Sequence, residues 1–241
     1  AENNTTTSRK DTQPQCVWYG ECNKSGRLTQ YCEYSGPPKV LNDSSALDTL
    51  SKWCPHLVPD PNQSIDACCD SDQVATFASS IELAANLLKR CPSCMMNLAR
   101  HLCDMTCGVT QSNFMEIVAT KNNTKGQAYI TEVNLYITND YIEGTYNSCK
   151  QVMVPSTGQK AIDLMCGTWG ASKCTAKRWF DFMGTSGDSN PFVPFQINYL
   201  NNSDPVNHNG HRYVPDSPHI TPCSQAFDVS CFSILFLNVP K

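Results

Sequence analysis

The most regular apolar pattern lies in the middle of the chain. Across residues 91–107, Met95, Leu98, Ala99, Leu102 and Met105 recur at three- and four-residue steps, the spacing of one helix face. Just upstream, Val74, Phe77, Ala78, Ile81, Ala84, Ala85 and Leu88 form a second stripe of that kind. Asp70 followed three residues later by Gln73 reads as the capping box of that helix, with Asp70 as N-cap. Shorter helices are predicted at 45–53, 161–165 and 177–183, and residues 108–139 open on a short helical piece. Two stretches alternate like strands, 129–137 and 192–199, the second held at a sheet edge by Pro194. Residues 16–32 read as a short cysteine-closed loop, 201–222 as a surface loop, and 1–15 as a polar, disordered tail. Helices lead and strands follow, which defines an α+β class.

Cysteine changes this picture most. The chain has 15, and four of them, Cys91, Cys94, Cys103 and Cys107, belong to the central helix. Cys103 and Cys107 stand one turn apart, so the helix can be tied to several distant segments. A disulfide hub and a zinc–thiolate cage both fit such spacing, and redox compartment separates them. Asn-x-Ser/Thr sequons at Asn3, Asn4, Asn23, Asn42, Asn62, Asn122 and Asn201 point to the secretory route, where disulfides persist. The expected state is therefore a disulfide framework on a real core, since 40% of the residues are apolar. The polar opening Ala1-Glu2-Asn3-Asn4 reads as a mature chain whose targeting segment has been removed. The apolar run 231–239 is too short to span a bilayer. The net charge of −4 brings no basic face and excludes a nucleic-acid reading.

Enzyme motifs are set aside. No Gly-x-Ser-x-Gly elbow, His-Glu-x-x-His or phosphate loop occurs. Cys68-Cys69-Asp70 is similar to the paired cysteines of secreted phospholipases A2, but Ser71-Asp72 stands where those enzymes have His-Asp. His208 and His211 have metal-ligand spacing without a third ligand nearby, so they read as solvated loop residues and no metal is expected. His101 is placed on a face of the central helix. Asp66 and Asp70 read as surface or capping groups, Trp18, Phe77 and Trp179 as core, and Gln73 as a capping residue.

Five motifs in order resemble one family. Cys-Val-Trp-Tyr-Gly-Glu-Cys (16–22), Tyr-Cys-Glu-Tyr-Ser-Gly-Pro-Pro-Lys (31–39), Cys-Cys-Asp-x-x-Gln (68–73), Arg-Cys-Pro-Ser-Cys (90–94) and Cys-Asp-Met-Thr-Cys (103–107) resemble the N-terminal lumenal sterol-binding domain of Niemann-Pick C1 sterol transporters. Leu-Met-Cys-Gly (164–167) and Pro-Phe-Gln-Ile (194–197) extend the likeness. The resemblance implies a mostly helical, disulfide-rich domain over 16–231, with a small mixed sheet around a deep pocket and an atypical tail at 232–241. It implies cholesterol or a related 3β-hydroxysterol as ligand, hydroxyl innermost, with no cofactor and no catalysis. Gln73 then contacts the hydroxyl and Glu21 reaches it through water. The family's asparagine position falls on Tyr31, where the tyrosine hydroxyl or Gln30 would replace it. Thr76, Trp18, Pro194 and Phe195 complete the ligand-binding set, and Leu164 with Met165 forms a transfer surface facing a soluble Niemann-Pick C2-type carrier.

The implied disulfides are Cys16–Cys68, Cys22–Cys32, Cys54–Cys103, Cys69–Cys107, Cys91–Cys231, Cys94–Cys149 and Cys166–Cys174, with Cys223 left over. Glycans would sit on Asn23, Asn42, Asn62, Asn122 and Asn201. The setting implied is the endosome–lysosome lumen, or the cell surface for an intestinal-uptake paralogue, with a monomeric domain on a membrane-anchored parent. The chemistry is consistent: a sterol is a rigid apolar body whose one hydroxyl needs a donor and an acceptor, and Gln carries both. The rival is a cysteine-rich ectodomain recognising a protein or a small polar vitamin, as folate-receptor-like modules do.

Overall fold

The central helix is the node of the computed structural model, which describes residues 14–26, 28–187, 190 and 193–222. Running Pro92–Cys107 (α3), it has proline at its first turn, where a missing N–H costs nothing, and Gly108 at its C-cap. Its burial exceeds one stripe: Ser93, Asn97, His101 and Thr106 are buried along with Met95, Leu98, Ala99 and Met105. An element covered on several sides must be packed by several neighbours. These are α1 (Ser44–Trp53), α2 (Ser71–Leu88) and α5 (Asn139–Cys149). Three disulfides staple it to them: Cys103 to Cys54 after α1, Cys107 to Cys69 before α2, and Cys94 to Cys149 of α5.

The start of α2 is as the sequence predicts. The Asp70 side chain accepts from Gln73 N at 2.9 Å, and Gln73 Oε1 accepts from Asp70 N at 3.1 Å, a complete capping box. The predicted short helices appear as α1, α6 (Ala161–Met165) and α8 (Ala176–Gly184), with α4 (Gln111–Phe114) and α7 (Gly170–Lys173) as single turns.

The sheet departs further from expectation. Residues 16–32 are no loop: Cys16–Ser25 (β1) and Leu28–Gly36 (β2) form a long antiparallel hairpin with several bulges. Its period-2 pattern is broken at those register shifts, which hides it from an alternation count. Met115–Asn122 (β5) and Ala128–Ile137 (β6) form a second hairpin. One edge of β6 is shared, by β2 at Tyr129 and, from Glu132 onward, by the parallel strand Gln196–Asn201 (β7). β7 begins two residues after Pro194, so the proline precedes the ladder. Between β2 and α1 runs Lys39–Leu41 (β3), paired with Ile65–Ala67 (β4). The predicted surface loop contains the hairpin Val206–His208 (β8) and His211–Tyr213 (β9).

His101, on the central helix, is fully buried. Its ring lies against Tyr141, Phe180 and Tyr199, its Nε2 is 3.2 Å from the Tyr199 hydroxyl, and its Nδ1 is 3.5 Å from Asp216. The two loop histidines are engaged: His208 Nδ1 contacts Glu116 at 2.9 Å and His211 Nε2 contacts the Ser112 carbonyl at 2.9 Å. Among the described residues no group of three or more His, Cys, Asp or Glu side chains could hold a metal, and no helix is long and apolar enough to cross a membrane.

Candidate functional site

Disulfides fix where β1 meets α2. Cys16, opening β1, is bonded to Cys68, and Cys22 is bonded to Cys32 across the hairpin. The neighbouring Cys69 is bonded to Cys107 at the end of α3. β1 is thus held at both ends, with Gly20 and Glu21 between, facing the first turn of α2. Gly20 has φ +82°, and a Cβ there would come within 3.2 Å of Asp70 Oδ2, so glycine is what this approach tolerates.

Gln73 sits at the centre, with none of its surface exposed. Its Oε1 accepts two backbone donors, Gly20 N at 2.6 Å and Asp70 N at 3.1 Å. Its Nε2 is buried and has no partner. The capping role and a binding role therefore occupy different atoms: the carbonyl holds the backbone, and the amide N–H groups are left over. A buried unpaired donor costs on the order of 1–3 kcal/mol.

The other expected residues divide into three kinds. Thr76 donates to Glu21 Oε1 at 2.6 Å, and Glu21 lies opposite Tyr31 in the hairpin register. Burial pushes the Tyr31 hydroxyl pKa well up, and the nearby carboxylates of Glu21 and Asp70 raise it further, so the group is a neutral phenol. Trp18, Tyr31 and Phe195 form an aromatic triangle with ring centroids 5.3, 5.5 and 5.9 Å apart. Trp18 Nε1 donates to the Thr106 carbonyl at 3.2 Å, meeting one of the orphan acceptors at the end of α3. Gln30 is a strut: its Nε2 donates to the Pro194 carbonyl at 2.9 Å and its Oε1 accepts from Asn23 at 2.6 Å. Both of its functions are occupied. Pro194 itself is partly exposed and Phe195 is buried.

Leu164 and Met165 end α6. Leu164 is 52% exposed, whereas Met165 packs against the core. Trp169, which sequence reasoning missed, is 45% exposed in the next turn, with the Arg178 guanidinium 3.9 Å above its ring. An exposed large apolar residue is an informative signal only once the fold shows it. Of the expected glycan positions, Asn42, Asn62, Asn122 and Asn201 are exposed, and Asn23 is partly buried against Gln30.

Six disulfides join Cys16–Cys68, Cys22–Cys32, Cys54–Cys103, Cys69–Cys107, Cys94–Cys149 and Cys166–Cys174, matching the implied pairs whose two ends are described. Cys91 is disulfide-bonded as well. The expected partner Cys231, and Cys223, lie outside the described residues, as do residues 1–13 of the expected disordered tail 1–15 and the tail 232–241.

The fold is a disulfide-stapled α+β domain with one buried amide, that of Gln73, satisfied only at its oxygen. The chain belongs to the family described as Niemann-Pick C1 N terminus, which it matches over residues 13–232. It is 31% identical over 229 residues to NPC intracellular cholesterol transporter 1 homolog 1b of Drosophila melanogaster, covering 92% of this chain and 18% of that protein. It is 33% identical over 221 residues to NPC intracellular cholesterol transporter 1 of Sus scrofa, covering 88% of this chain and 16% of that protein. To the NPC1-like intracellular cholesterol transporter 1 of Mus musculus it is 31% identical, with 88% and 16% covered. The chain spans less than a fifth of the length of these relatives.

Proposed function

We propose that this chain is a non-enzymatic sterol-binding domain that captures cholesterol or a related 3β-hydroxysterol with its hydroxyl innermost. The observation that carries this reading is the orphaned Gln73 Nε2. A sterol hydroxyl would accept from it and donate to a carboxylate or water at Glu21, so each buried polar atom would gain a partner. Trp18, Tyr31 and Phe195 would supply the rigid apolar wall, with Thr76 orienting Glu21. Names of the relatives support cholesterol as cargo. We place the domain at 16–231 in the lumen of endosomes and lysosomes, as a monomeric, glycosylated part of a membrane-anchored protein. Leu164 would lie on the face that meets a soluble Niemann-Pick C2-type carrier.

Two variants test the reading. Gln73→Ala removes both the cap and the free donor, so it should lower the melting temperature and weaken cholesterol binding by roughly 1–3 kcal/mol. It should also blunt discrimination against the 3-epimer, which depends on hydrogen-bond geometry. Asp70→Ala removes the cap acceptor but leaves the Gln73 amide, so it should cost about 1 kcal/mol of stability and little affinity. A Gln73→Ala protein that is destabilised yet binds cholesterol normally would remove Gln73 from the site.

A further inference from the structure

Arg100 leaves α3 without the partner a guanidinium usually has. Its Nε is buried and unpaired. The carboxylate one turn further on, Asp104, is already held by His56, whose Nε2 lies 2.8 Å from Asp104 Oδ1. Arg100 lines a cleft of about 150 Å³ together with Trp53, His56, Met96, His219 and Thr221. No Asp or Glu lines it among the described residues.

The outer wall is built in. Asn97, also at the cleft, spends its amide on the chain that passes over it: Oδ1 accepts Thr221 N at 2.9 Å, and Nδ2 donates to the Thr221 carbonyl at 3.0 Å and to Ser148 Oγ at 3.1 Å. That clamp fixes the segment carrying His219 and Thr221 at the cleft that Arg100 also lines. Trp53 and Met96 give the lining its apolar part, and Arg100, His56, His219 and Thr221 give it a cation, two imidazole rings and a hydroxyl. A space of this size would hold about five waters at roughly 30 Å³ each, so it suits a small ligand rather than a sterol. It also stands apart from the region around Gln73, where Trp18 and Cys69 meet α3 at Thr106 and Cys107, the C-terminal end of that helix.

We propose that this cleft binds a phosphate-type oxyanion, free or as a lipid headgroup, gripped by the Arg100 fork and flanked by His56, His219 and Thr221. A planar guanidinium with unspent donors matches the paired oxygens of such an anion. The proposal does not depend on the sterol reading.

Titration of the full 241-residue chain with inorganic phosphate against chloride, at constant ionic strength, tests it. One arginine Nε–H nuclear magnetic resonance signal should shift saturably in the wild-type protein. Arg100→Gln should remove that signal and weaken phosphate binding by about tenfold or more, while Arg100→Lys, which keeps the charge and loses the fork, should fall between. Cholesterol binding should be the same in all three. Co-sedimentation with phosphatidylcholine vesicles, with and without phosphatidylglycerol, then distinguishes the sources. Arg100-dependent capture by the anionic vesicles, competed by phosphate, identifies a headgroup; phosphate binding without capture identifies a free anion. The absence of both a saturable Nε–H shift and anionic-vesicle capture would overturn the proposal, as would an Arg100→Gln variant that binds phosphate like wild type. Should a variant fail to fold, the wild-type Nε–H titration alone decides.

Discussion

The two halves of the molecule hold together by different means. Within residues 16–107, four disulfides join segments 10 to 52 residues apart, and a polar atom, Gln73 Nε2, is buried without a partner among them. Residues 108–222 contain one internal bridge, Cys166–Cys174, closing only eight residues. There the core is β6, with its apolar residues Ile130, Val133, Leu135 and Ile137, and its neighbour β7, on which α8 packs with Trp179 and Phe180. Buried polar atoms without a hydrogen-bond partner occur in both halves, Gln73 Nε2, Arg100 Nε and His101 Nδ1 in the first and Thr145 Oγ1, Trp179 Nε1 and Asp216 Oδ2 in the second, so the halves differ in their covalent ties and not in polar satisfaction. The packed half has side chains in contact as its main source of order.

The sharpest break of this contrast is to unstaple each half in turn. Replacing Cys54 and Cys103 by alanine opens a 49-residue loop and should cost about 4 kcal/mol in the chain-entropy account. Removing Cys166 and Cys174, separated by 8, should cost about 2.5 kcal/mol by the same account. Equal losses in thermal unfolding would erase the distinction. In the packed half, Leu135→Ala at the fully buried centre of β6 should cost about 3 kcal/mol and leave the disulfide pattern intact.

A smaller effect comes from pH. Partial burial raises the Glu116 pKa, but hydrogen bonds from Asn134, His208 and Tyr136 outweigh it and hold the carboxyl below its usual range. A folded pKa below the unfolded one stabilises at pH values above the unfolded pKa and loses that contribution as pH falls through the folded one. Docking of the β8–β9 hairpin should therefore persist from neutral to mildly acidic solution and loosen only below the ordinary carboxylate range. Glu116→Gln should cost about 1 kcal/mol and flatten that acid-side fall, read by hydrogen exchange at β8 and β9 against pH.

Reading the chain in advance succeeded where one periodicity ruled. The stripes of α2 and α3, the Asp70–Gln73 box and the alternation of β6 are local signals, and each element formed where its signal lay. α5 escaped because its residues, Asn139–Cys149, include Asn, Asp, Glu and Gly and carry only a weak apolar stripe; its place is set by packing on α3 and by Cys94. The β1–β2 hairpin escaped because bulges interrupt its alternation. For the candidate site, Gln73 could be named, but its two readings looked exclusive. Only the coordinates assign its oxygen to Gly20 and Asp70 and leave its nitrogen spare. Gln30, a free amide in one dimension, is tied to Pro194 by a contact 164 residues away, which no local pattern encodes.

The bridges also overlap end to end. Cys16–Cys68, Cys54–Cys103, Cys69–Cys107 and Cys94–Cys149 together span every peptide bond from Cys16 to Cys149. A protease that nicks any one of those bonds therefore leaves both fragments covalently joined. Around peptidases, a single nick in such a domain would shed no piece and would appear only after reduction, as new bands on a denaturing gel.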